Sequence, residues 1–88
     1  MKKFSLAEVK KTVLKIKKEL LYNDNVTIKF VVIDEEYVEV LIAIKEIDYT
    51  VKRIDFLGLF DLVSLKEWIE VEIISELKSM LNSYIYRK

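Results

Sequence analysis

The succession of hydrophobic periods predicts an α+β fold. It is a two-layer sandwich in which an antiparallel three-stranded sheet carries two helices on one face, in the order helix, strand, strand, strand, helix. Three observations predict it. Two serine-led capping boxes open segments of helical period near the two ends of the chain, and the stretch between them alternates with a period of two. At 88 residues, 52% of them hydrophobic, the chain has apolar side chains for one core but not for two, so residues 1–88 read as a single domain.

The first helix is announced by "FSLAE", where Ser5 stands three residues before Glu8. A serine hydroxyl so placed accepts the N3 amide while the glutamate reaches back to the serine amide, and Phe4 with Val9 forms the flanking apolar staple. The helix is expected from about Leu6 to Tyr22, with Leu6, Val9, Val13, Ile16 and Leu20 on one stripe and "YNDN" as its stop. The same device recurs in "VSLKE". Ser64 with Glu67 is the expected box and Val63 with Trp68 the staple of a second helix from about Leu65 to Tyr84, burying Leu65, Ile69, Ile73, Leu77, Met80 and Tyr84.

Between the helices, Val26, Ile28, Phe30 and Val32 alternate on one parity and Val38, Val40, Ile42 and Ile44 on another. Bringing both sets to one face of a hairpin sets Val32 opposite Val38 and leaves Asp34, Glu35 and Glu36 as the loop, because a slip of one residue would turn a whole set outward. A third strand is expected from about Tyr49 to Phe56. Tyr49 and Val51 share one parity, Ile54 and Phe56 the other, and the break at Lys52 and Arg53 reads as a bulge or a strand end. The connection "DFLGLF" is unusually apolar and contains the only glycine, Gly58, which suits a turn; Phe56, Leu57, Leu59, Phe60 and Leu62 either plug the open end of the sandwich or face outward.

Much chemistry is excluded by composition. Without cysteine or histidine there is no disulfide, no zinc site of the usual ligands, no Ser-His-Asp triad and no Cys-His nucleophile. A single glycine cannot build a phosphate-cradling loop or a dinucleotide fingerprint. The densest carboxylate group, Asp34, Glu35, Glu36 and Glu39, reads as a solvated hairpin tip, since consecutive acids point in different directions. No enzyme, cofactor, metal or small-molecule substrate is expected. No apolar run reaches a membrane span, and "MKKFSLAEVKK" is too charged for a signal peptide, so the expected location is the cytoplasm, with no membrane partner.

Two surfaces remain. Fifteen Lys and Arg balance fifteen Asp and Glu, but the charge is segregated: seven lysines oppose two acids up to Tyr22, and thirteen acids oppose five bases from Asn23 to Glu76. Lys11, Lys15 and Lys18 share the outer side of the first helix, with Lys10 and Lys17 at its edge and Lys2 and Lys3 extending it. Such a face supports nonspecific binding to a nucleic-acid backbone, although no arginine or aromatic is interleaved to read bases.

The second surface is surplus apolar area. Trp68 and Val71 point away from the buried stripe of the second helix, Ile74, Leu81 and Ile85 widen that stripe, and Val31, Ile33, Tyr37 and Leu41 are expected on the outer sheet face. Large exposed apolar patches mark association sites, and a homodimer is the commonest way to cover one. The leading expectation is therefore a non-catalytic interaction protein, homodimeric, with Val31, Ile33, Tyr37, Leu41, Trp68 and Val71 at its interface; the alternative is nucleic-acid binding through Lys11, Lys15 and Lys18.

The absence of Cys and Gln with abundant Lys, Glu and Ile resembles proteins of hot, AT-rich genomes, archaea and their viruses among them. The element order also resembles small phage and archaeal-virus proteins, some of them inhibitors of host defence, and part of certain secretion-chaperone folds. That resemblance implies a viral or mobile-element accessory protein that binds a host macromolecule; no motif residue carries it.

Overall fold

The computed structural model describes residues 4–20, 25–45, 48–59 and 61–86, with side chains as far as Ser83. Lys2, Lys3, Tyr22, Phe60 and the side chains of Tyr84 and Ile85, which figure in the sequence reading, lie outside the described residues. The elements run α1 (Leu6–Glu19), β1 (Val26–Ile33), β2 (Tyr37–Ile44), β3 (Asp48–Asp55) and α2 (Leu62–Tyr86). The strands form one antiparallel meander in the order β1-β2-β3.

Both helices pack on one face of this sheet. Val9, Val13 and Ile16 of α1, and Leu65, Ile69 and Ile73 of α2, are buried with Val38, Val40, Ile42 and Ile54 in a single core. Central β2 supplies the floor of that core, and its inward residues Val38, Val40 and Ile42 are wholly buried. The helices are tied together over the sheet by Lys66, which pairs with Glu19 at the end of α1 and with Glu70 at 3.0 Å. These carboxylates, Glu19 first, raise the Lys66 pKa above the usual lysine value.

The α1 start is as the sequence specifies. Glu8 N–H donates to Ser5 Oγ at 3.1 Å, and Ser5 N–H donates to Glu8 Oε1 at 2.9 Å. Phe4 is buried at the same end, its ring edge-on to Phe56 at 6.1 Å. Leu6, by contrast, is exposed rather than part of the buried stripe.

The α2 start differs from the expected box. The helix begins three residues earlier, at Leu62, so Ser64 is inside its first turn. Asp61 caps it: Ser64 N–H donates to Asp61 Oδ1 at 2.8 Å, and the Ser64 hydroxyl donates to Oδ2 at 3.1 Å. Of the two competing caps, the carboxylate is the stronger acceptor for an orphan amide, and it also opposes the positive end of the helix dipole. Val63 is therefore exposed, and Trp68 donates its indole N–H to Asp55 O at 2.9 Å instead of stapling Val63.

The first hairpin also departs from the expected register. Asp34 N–H donates to Tyr37 O at 3.0 Å, which closes the tip around Glu35 and Glu36 and pairs Ile33 with Val38. This one-residue slip is absorbed by a bulge at Val31, beyond which Phe30 meets Val40 as expected. The cost of the slip falls on Ile33 and Val32, which exchange faces: Ile33 turns inward under α1, and Val32 stands opposite Glu39.

In the connection, Leu59 N–H donates to Phe56 O at 3.2 Å across a turn whose third residue, Gly58, has φ +99°. That conformation is the one a type II turn reserves for glycine. Phe56 and Leu59 fold back onto the core while Leu57 and Leu62 remain exposed, so among the described residues of the stretch Phe56 and Leu59 plug the sandwich.

Candidate functional site: the open sheet face and the β3 edge

The outer side of the sheet has no covering layer among the described residues. Its rows follow from the register. Val32, Glu39 and Arg53 form one, Lys29, Leu41 and Val51 the next, and Thr27, Ala43 and Tyr49 the third, with Tyr37 beside Asp55 at the far end. Tyr49 is 72% exposed, Val51 53% and Val31 45%, which is unusual for strand residues of these types. The Arg53 guanidinium lies 3.8 Å from the centre of the Tyr37 ring, and its Nε reaches Asp55 Oδ1 at 3.2 Å. The charges projecting from the face, Lys29, Arg53, Glu39 and Asp55, sum to zero.

The expected interface residues are thus dispersed. Val31, Tyr37 and Leu41 stand on the open face. Ile33 does not, because the Val31 bulge returns it to the core side. Trp68 lies at the β3 edge, held by its bond to Asp55 O, and Val71 is exposed farther round α2, away from the sheet. Two members of the face, Tyr49 and Val51, were not assigned to it from sequence.

The signal for them was present in the alternation Asp48, Thr50, Lys52 against Tyr49, Val51, Arg53. No bulge or strand end interrupts β3 at Lys52 and Arg53; its pairing with β2 is regular from Asp48 to Asp55. What looks like a break of parity is a lysine on the helix side: Lys52 Nζ lies 3.3 Å from Glu72 and 3.9 Å from Glu76 of α2. An ion pair with the overlying helix lets a charged residue occupy an inward position, and from Tyr49 to Lys52 the polar and apolar residues exchange their usual sides, which Arg53 and Ile54 resume.

Along the β3 edge the hydrogen-bonding sense alternates. Phe56 N–H donates to Glu36 O, so even-numbered residues of β3 face β2 and the amides and carbonyls of Tyr49, Val51, Arg53 and Asp55 face away. The Asp55 carbonyl is taken by Trp68. Beside this edge, Asp48, Thr50, Glu76 and Ser79 help line an open groove of about 240 Å³ between β3 and α2.

The lysine face is intact on α1. Lys11, Lys15 and Lys18 are exposed, and Lys11 and Lys15 border a shallow groove shared with Leu62, Val63 and Lys66 of α2. The hairpin acids do not converge: Asp34 Oδ2 lies 3.4 Å from Glu36 N, and Glu39 stands on the open sheet face. Among the described residues no three acidic side chains gather as a metal site would need, and no helix is long and apolar enough to cross a membrane.

Fold and surface together define a class, a small α+β sandwich with one sheet face packed and the other open. No protein-family model, no curated protein and no solved structure matches the chain.

Proposed function

We propose that this chain is a non-catalytic interaction protein that pairs with a second copy of itself through the open face of its sheet. The observation that carries the reading is the contiguous exposure of Val31, Tyr49 and Val51 around Leu41. A patch whose own charges cancel meets its copy without net repulsion, and tyrosine is enriched at such contacts. Size sets the strength. Three strands of eight residues span about 14 by 26 Å, roughly 370 Å² in plan, against about 800 Å² per partner in a standard stable interface. The pair is accordingly weak and dissociates on dilution.

Sedimentation velocity on Leu41→Asp and Tyr49→Asp, with Val71→Asp as a control on the remote side of α2, tests the reading. The first two should abolish association and the control should leave it unchanged; equal effects from all three would contradict it. A nucleic-acid reading is favoured by one observation, the exposure of Lys11, Lys15 and Lys18 without an acidic partner among the described residues. It requires retardation of DNA or RNA that falls steeply with salt and is lost when these lysines become glutamate.

A further inference from the structure

The free edge of β3 presents an unused row of backbone groups. The N–H and C=O groups of Tyr49, Val51 and Arg53 point away from β2 and, among the described residues, take no hydrogen bond. The two edges of the sheet are treated differently. β1 carries the Val31 bulge, a common guard against strand addition, while β3 is regular over its full length. Trp68 closes only its last carbonyl, at Asp55.

What could occupy this edge is constrained by α2. A two-fold axis pairing β3 with a second β3 would lie about 2.4 Å outside the strand, placing two helices that each overlie β3 about 5 Å apart, whereas packed helices need 8–10 Å. The Lys52 pair with Glu72 and the Trp68 bond to Asp55 fix α2 above β3, so a second copy does not fit there. A lone extended segment does.

Its chemistry follows from the groove. In an antiparallel addition, the incoming residue opposite Val51 exchanges both hydrogen bonds with it and points to the open face, whereas the residue opposite Thr50 points toward α2. On that side Glu72 and Glu76 share the single cation Lys52, a net charge of −1, and the groove beside Thr50 and Glu76 holds about 240 Å³, room for a lysine or arginine side chain. We infer that the β3 edge, from Tyr49 to Arg53, receives an extended peptide segment by strand addition, with a basic side chain seated between Thr50 and Glu76. This site is distinct from the open face and does not depend on the proposed dimer.

A labelled peptide as long as β3, alternating valine and lysine, is the probe, with an alternating valine–glutamate peptide as its counterpart. Amide exchange followed by NMR on the unmodified protein should show new protection at Tyr49, Val51 and Arg53 on adding the first peptide, and none with the second. Val51→Pro removes an outward N–H without breaking a bond to β2, so it should weaken binding about tenfold while leaving the circular-dichroism melt in place. Glu76→Lys should weaken it similarly. Absence of binding, binding without protection at these amides, or equal binding of both peptides would overturn the inference, as would protection that rises with protein concentration alone.

Discussion

At residue scale the two helix starts show how one local pattern has two outcomes. Ser5 and Glu8 form their box because no better acceptor precedes Ser5; Ser64 does not form one because Asp61, three residues earlier, offers a carboxylate to its amide and hydroxyl. Asp61→Ala should therefore destabilise the fold more than Glu67→Ala, measured by urea denaturation; the reverse order would restore the Ser64–Glu67 box. Ser5→Ala should cost about 1 kcal/mol, the usual loss for a serine N-cap. The bonds from Ser64, its backbone amide first, hold the Asp61 carboxyl below its ordinary pKa. A carboxylate with a lowered folded-state pKa adds stability that is fully present above its unfolded value and is lost as pH falls through the folded one. Acid titration of Asp61→Asn should accordingly show a smaller loss of stability below the ordinary carboxylate range than the parent. The motif S-x-x-E was legible at both places, but sequence alone does not rank it against an overlapping D-x-x-S.

At the scale of elements, the period of each segment was enough to place all five in order, and the stripes of α1 and α2 are buried much as their spacing implies. The helical stripe predicts a clear contrast on α2. Ile69 is wholly buried and Val71 is 59% exposed, so Ile69→Ala should cost about 2–5 kcal/mol and Val71→Ala less than about 0.5 kcal/mol in the same denaturation experiment. Two features were not legible. Val32 and Ile33 are both apolar and β-branched, so hydrophobicity could not say which faces inward; the tip geometry at Asp34 and Tyr37 decides it, and the Val31 bulge follows. In β3 the inward lysine is explained only by Glu72 and Glu76, which lie on an element some twenty residues later. Alternation reads faces reliably where one side is solvated and polar, and it misleads where a helix brings a countercharge to the buried side.

For the whole molecule, the asymmetry between the two sheet faces is the feature from which function is argued. The long axis of 47 Å against 21 and 19 Å reflects α2, whose 25 residues span about 38 Å against about 26 Å for a strand of eight. Two helices pack on one face, and the other carries Leu41 among exposed valines and a tyrosine. That the chain has more apolar residues than its core needs was legible from composition; where the surplus lies was not, because it depends on the faces of β1 and β3. The most direct measurement is the molar mass in solution by light scattering across a wide concentration range. The expected result is a mass rising from one copy to two as concentration increases, with Leu41→Asp remaining at one. A mass of one copy at every concentration, or a dimer indifferent to Leu41→Asp, would contradict it.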